Sequence, residues 1–221
     1  MKKVILYIFF ILVCFTQTAF AGFMPTLTNS INHYGIGAAR ITNYITVYEK
    51  PDLNSKVKTR IYWNNIGHFI VENEKNPNPN DIFLVYLPKE NIAFLSAEDE
   101  DEEWINICYN QKKGLFGWVK KENGNSYVKF YLYKDLIFEY GKKYGFYIFR
   151  NLPSDFKTLH SSPNNDSNVV DDFNYPKYIS PWLVQGNWML AKVTTMDNQT
   201  KTGWFKWRSE TGKLFGFVNF R

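Results

Sequence analysis

Apolar and polar positions alternate with period two along much of the chain after residue 35, and that pattern predicts strands. In "WINICY" Ile105, Ile107 and Tyr109 fall on one face, and Trp104, Asn106 and Cys108 on the other. In "WMLAKV" Met189, Ala191 and Val193 oppose Trp188, Leu190 and Lys192. Each segment runs into a polar, glycine-ended stretch, "NQKKGLFG" and "TMDNQTKTG", as hairpin connections do. The ring-rich stretch 127–149 reads as strands broken by a turn at "YGKKYG". No segment shows a capped 3.6-residue period, so no helix is predicted.

The pattern occurs twice. "TVYEKPDLNSKV" (46–57) aligns without a gap with "TLHSSPNNDSNV" (158–169), sharing Thr, Pro, Ser and Val columns. Pro51 and Pro163 fix φ and remove a donor, so each ends a strand and opens an exposed loop. Further on, "EEWINICYNQKKGLFGWVK" (102–120) matches "GNWMLAKVTTMDNQTKTGWFK" (186–206): a Trp opens a strand, a polar turn follows, and Gly-Trp begins the next strand. The copies differ mainly in the middle, where the first carries an insertion at about 64–100. It holds an Asn/Pro loop, the apolar run "FLVYLPKENIAFL" and the acids "EDEDEE" (98–103), read as a solvated turn.

Strand, Pro-containing loop, Trp-led strand, polar turn and Gly-Trp together resemble the bacterial SH3 (SH3b) family. The residues that carry this are "VYEKPDLNSKV", "EWINICYNQKKGLFGWV", "LHSSPNNDSNV" and "NWMLAKVTTMDNQTKTGWF". The resemblance implies an all-β chain of two small SH3-like β-barrels in tandem, the first with an inserted loop or hairpin. The expected boundaries are a signal peptide at 1–21, an N-terminal extension at 22–35, a first barrel at 36–121, a linker at 122–126 and a second barrel at 127–221. Such modules in exported bacterial proteins commonly target or bind, often beside a cell-wall hydrolase.

Composition agrees with a β chain: 19% of residues are aromatic, with 15 Tyr and 19 Phe, and rings suit pleated surfaces. The N-terminus adds a compartment. Lys2 and Lys3 precede an apolar run from Val4 to Phe15, and Ala19-Phe20-Ala21 forms a small-x-small cleavage site. That is a secretory signal with an apolar run too short to span a bilayer. Export to the periplasm or beyond is expected, with no membrane insertion after cleavage. Removing Lys2 and Lys3 from the 26 basic residues leaves 24 against 21 acids, a net charge of +3, too mild to point to nucleic acid. Cys14 leaves with the signal, so Cys108 is alone and reads as a small buried apolar residue.

Candidate chemistry is sparse. His33, His68 and His160 are scattered without metal-ligand spacing, and Cys108 lies mid-strand, away from the context of a cysteine nucleophile. No catalytic residue, metal or cofactor is expected, although a carboxylate pair for a cell-wall hydrolase is not singled out by sequence and stays open. The rings carry more. Phe205 and Trp207 share an apolar face and are the core candidates, whereas Trp204, Lys206 and Arg208 share the other. Trp118 with Lys120 repeats this in the first copy, with Val119 in the core slot. Trp104, Trp118, Trp188, Trp204, Lys206 and Arg208 are therefore the candidate ligand-binding residues, suited to sugar rings or an extended peptide. The expected partner is peptidoglycan or a cell-envelope peptide or protein. The alternative is a structural protein that meets an envelope partner through its inserted segment.

Overall fold

A computed structural model describes residues 34–42, 44–64, 68–124, 126–149, 152–174 and 176–220. The segment expected to be a signal peptide, nearly all of the expected N-terminal extension and His33 lie outside the described residues. The described residues are predominantly β, and among them are two antiparallel sheets and one α-helix. Strands β1 (Gly37–Ile41), β2 (Tyr44–Tyr48), β3 (Val57–Trp63), β4 (Phe69–Val71), β5 (Val85–Leu87), β6 (Ile92–Glu100), β7 (Trp104–Asn110), β8 (Leu115–Lys120), β9 (Glu122–Asn123) and β10 (Ser126–Leu132) make the first sheet. Helix α1 (Tyr133–Tyr144) follows. Strands β11 (Phe146–Ile148), β12 (Thr158–His160), β13 (Val169–Asp172), β14 (Pro176–Gln185), β15 (Trp188–Thr195), β16 (Thr200–Lys206) and β17 (Gly216–Val218) make the second.

The repeat is visible in the hydrogen bonding. The first sheet contains the order β3-β2-β8-β7-β6-β1-β10, and the second runs β13-β12-β16-β15-β14-β11-β17. Position by position, the two orders are the same. Register agrees as well: Tyr48 pairs Trp118 as His160 pairs Trp204, and Trp104 pairs Lys120 as Trp188 pairs Lys206. Two bulges coincide as well, one between Val47 and Tyr48 and between Leu159 and His160, the other after Ala97 and after Pro181, while the shifts at Cys108/Asn110 and Pro176/Tyr178 belong to one copy each. Gly117 and Gly203 explain one shared contact. A Cβ on Gly117 would lie 2.4 Å from Val47 Cγ1, and one on Gly203 would lie 2.8 Å from Leu159 Cβ. Each glycine lets its strand press against the bulge of the first hairpin.

Three expectations are corrected. The expected closed barrels are not present as such, because neither sheet closes on itself. The stretch 127–149 is not strands throughout: β10 pairs β1 in the first sheet, α1 follows, and only β11 belongs to the second sheet. Tyr133, Leu136, Ile137 and Gly141 are the buried residues of α1, with Tyr140 and Tyr144 packed beside them. That is helical spacing, hidden among residues that favour strands. The acidic run, read as a turn, begins inside β6. Asp101 then accepts from the Trp104 and Glu103 backbone N–H groups at 2.7 and 2.9 Å, which fixes the hairpin into β7.

The inserted segment is interior. β6 is the counterpart of β14, so what the first sheet has in addition is the short edge strand β9 and, within the inserted segment, β4, β5 and their connections. Ile82, Phe83 and Tyr86 join the first core with Ile45, Val47, Ile61, Ile105, Ile107 and Val119. Phe83 stacks on Tyr86 at 4.7 Å and meets Trp63 edge-on at 6.0 Å. Alternate residues of the same segment, Leu84, Val85 and Leu87, enter the second core with Phe94. β5 and residues 93–97 of β6 are thus buried on both faces, which is why "FLVYL" and "IAFL" are continuous apolar runs rather than alternations.

The second core is shared between the sheets. It contains Ala38, Phe94 and Tyr131 from the first sheet, Leu136 and Ile137 from α1, and Met189, Ala191, Val193, Phe205, Trp207 and Phe217 from the second part of the chain. Phe94 stacks on Phe220 at 5.3 Å and meets Tyr131, Tyr140 and Phe217 edge-on. Phe94→Ala is expected to cost about 3 to 5 kcal/mol and to loosen both sheets in one cooperative transition, measured by chemical denaturation. Gly145 ends α1 with φ +83°, donating its N–H to the Gly141 carbonyl at 2.7 Å, and a Cβ there would lie 2.4 Å from the Tyr178 ring. Gly145→Ala is expected to cost about 2 kcal/mol or more, read as a lowered Tm.

Candidate functional site

Residues directly opposite one another in an antiparallel sheet share a face, so the pairings define which rings stand together. On the first sheet, the face away from the core carries Trp104 with Lys120 in one row, and Asn106, Trp118, Tyr48 and Val57 in the next. On the second, it carries Trp188 with Lys206, then Leu190, Trp204, His160 and Val169. Both tryptophans of each copy therefore lie on the outer face, where the alternation placed them. Phe205, Trp207 and Val119 lie in the core, also as expected.

The two tryptophans of a copy differ in exposure. Trp104 and Trp188 are only 6% and 8% exposed, whereas Trp118 and Trp204 are half-buried. The cover over the leading rings is the same in both copies. Tyr48 meets Trp104 edge-on at 5.5 Å, and His160 meets Trp188 at 5.1 Å. A lysine ammonium lies over each indole, Lys120 at 6.0 Å from Trp104 and Lys206 at 5.3 Å from Trp188, an arrangement favoured by the ring quadrupole. Lys120 is also 3.5 Å from Glu103, and Lys206 donates to Glu210 at 3.0 Å.

Arg208 does not join this face. Its guanidinium lies 4.8 Å from the Trp207 ring and its Nε donates to Asn187 Oδ1 at 2.6 Å. The strand has ended by then, so period-two alternation no longer orders its side chains.

A pocket of about 390 Å³ opens beside Trp188. Phe156, His160, Val169 and the indole supply its apolar walls, and Asp155, Thr158, Asn165 and Lys206 its polar groups. The short 3-10 turn Ser154–Lys157 brings Asp155 and Phe156 there. Phe156 is anchored by Phe215, with ring centroids 4.1 Å apart. His160 is held by Thr158 Oγ1 at 3.1 Å from Nε2 and by the Ser167 carbonyl at 3.2 Å from Nδ1. Sequence reasoning selected Trp188 and Lys206 but not Phe156 or His160. The gapless alignment of His160 with Tyr48 carried the signal, since both occupy the position opposite the Gly-Trp strand.

Nothing in the geometry prepares Cys108 for nucleophilic chemistry. It is fully buried, opposite Ser96 and Phe116, and burial pushes its thiol up to about 12. Among the described residues no group of three or more His, Cys, Asp or Glu is arranged to hold a metal ion, and no helix is long and apolar enough to cross a membrane. A scan against protein-family models and a search of curated proteins find no match to this chain.

Burial raises Cys108, Tyr34 and Tyr86 to about 12 from ordinary values of 9.0 and 10.0. The protonated forms are thus favoured by folding. Their contribution is whole below the unfolded value and is lost as pH climbs through the folded one. Thermal stability is expected to decline between about pH 9 and 12, and Cys108 is expected to resist a thiol reagent at pH 8 until denaturant is added. Rapid labelling of the native protein would show that the thiol is accessible.

Proposed function

We propose that this is a non-catalytic, exported binding protein built from two SH3-like units, which recognises cell-wall polymer or a peptide through the ring-bearing outer face of its sheets. The observation that carries the reading is the repeated pair of an outer-face indole and a lysine, beside which the second copy has a pocket walled by Phe156, His160 and Trp188. Flat rings next to a few polar groups suit a ligand with apolar faces and polar edges. The SH3-like assignment draws on the duplicated seven-strand order and on the Gly-Trp contacts, and export draws on the signal-like N-terminus. The inserted segment serves as core in this reading, since its apolar side chains from Ile82 to Leu87 are buried.

Trp204 is the residue to test, because it is half-buried on the outer face and lies outside both cores. In sedimentation with purified peptidoglycan, Trp204→Ala is expected to reduce pelleting about tenfold with Tm nearly unchanged, and Trp118→Ala to reduce it less. Absence of pelleting by the wild type, together with absence of peptide binding, would remove the reading.

A further inference from the structure

The duplication provides an internal comparison. At one row of the outer face the first sheet pairs Asp99, Asn106, Trp118, Tyr48 and Val57 across β6, β7, β8, β2 and β3. At the same row the second sheet pairs Leu183, Leu190, Trp204, His160 and Val169 across β14, β15, β16, β12 and β13. Strand order, register and bulges agree, so the backbone does not explain the difference. Two polar positions have become leucine. Leu183 is 47% exposed, Val169 is 57% exposed, and the bulge residue next to Leu183, Trp182, is 48% exposed. On its outer face the second copy thus holds Leu183, Leu190 and Trp204 in succession on three strands, with Val169 beyond His160, where the first copy holds a carboxylate and an amide ahead of Trp118. Such a row is costly to solubility and marks an interaction surface.

The charges beside the row differ too. On one side runs the row of Gln185, Trp188 and Lys206; on the other, the row of Ser180, Lys192 and Thr202. Lys192 is exposed, and its counterpart in the first sheet is the buried Cys108. No ion-pair partner faces Lys192 among the described residues. The apolar row of the second copy is therefore flanked on both sides by an ammonium group. Lys206 already holds a carboxylate, that of Glu210, in a surface pair of the kind that exchanges readily.

We infer that the ligand is an extended peptide segment bearing apolar and carboxylate side chains, bound along this row of the second copy. The inference rests on the binding-face reading above and narrows it. Five strands at about 4.8 Å spacing give the row a length of roughly 19 Å, which about six extended residues cover. Apolar side chains on Leu183, Leu190 and Trp204 recover the transfer free energy of those surfaces. Carboxylates reach Lys192 and Lys206 at the margins. A bare glycan fits less well, because sugar hydroxyls set over two leucines would lose water without gaining partners.

The test uses a fluorescein-labelled eight-residue peptide alternating leucine and glutamate, its leucine–lysine counterpart, and glycan strands stripped of their peptides. Wild-type protein is expected to bind the acidic peptide at least tenfold more tightly than the basic one, by fluorescence polarisation. Leu183→Asp/Leu190→Asn, which installs the first copy's residues at one exposed and one half-buried position, is expected to abolish that binding with the cooperative unfolding transition retained. Lys192→Ala is expected to weaken it several-fold and to flatten its salt dependence. Asp99→Leu/Asn106→Leu in the first copy is expected to leave it unchanged. Equal binding of the two peptides, or acidic-peptide binding unaltered by the leucine variant, overturns the inference. If stripped glycan binds in a Trp204-dependent way while the acidic peptide does not, the inference falls and the binding-face reading stands. If neither peptide, glycan nor whole peptidoglycan binds, both fall.

Discussion

Burial of β5 and β6 on both faces is the constraint on which the rest of this structure depends. A strand with one wet face is specified by alternation, and its register error exposes half its side chains. A strand enclosed on both sides must supply apolar residues at every position, and each layer it touches depends on it. Ala93, Leu95 and Ala97 of β6 enter the first core, while Phe94 between them enters the second. The second sheet is open, and its inner face of Met189, Ala191, Val193 and Phe205 needs a cover. α1 supplies part of it, and β1, β5 and β6 of the first sheet supply the remainder. The two halves are therefore repeats in topology but complementary in packing: one lends an outer surface where the other lends an inner one.

That asymmetry accounts for the divergence of the copies. On the first sheet, the surface at Phe94, Ser96 and Cys108 is fully enclosed. On the second sheet the matching positions are Tyr178, Ser180 and Lys192, which face water to differing extents. The same strand positions were thus placed under different demands once the halves joined. Conserving the contact of Gly with the hairpin bulge kept the backbone of both copies alike, while side chains on the free face became available for a ligand.

Much of this was legible in the sequence. The gapless match of 46–57 with 158–169 correctly paired Tyr48 with His160 and Val57 with Val169, and the Trp-led strands fell in register without adjustment. Alternation separated Phe205 and Val119 from Trp204 and Trp118. What was not legible has physical reasons. α1 follows Leu132, which supplies no side-chain cap, and it mixes Tyr, Ile and Phe with an interior Gly141, so its helical spacing was masked even though Asp135 in its first turn, Lys142 and Lys143 in its last and Gly145 at its end are helix signals. The double burial of β5 and β6 depends on a partner layer, α1 and the second sheet, that comes from later in the chain and leaves no mark on the local pattern. Arg208 was misplaced because alternation was carried one residue pair beyond the end of β16.

The buried position of Trp104 and Trp188 also bears on how the outer face works. A fully exposed indole is a mobile contact that loses rotamer freedom on binding, whereas one clamped by a neighbouring ring edge and a lysine stem is ordered in advance. Each copy keeps one clamped and one half-open tryptophan on adjacent rows. The clamped ring and its lysine then act as a rigid wall, and the half-open ring as the contact surface. In the second copy the 3-10 turn at 154–157 adds Phe156, anchored on Phe215, to that wall. Rigid walls favour selectivity over adaptability, since rings held in place cannot shift to accommodate a ligand whose shape mismatches them.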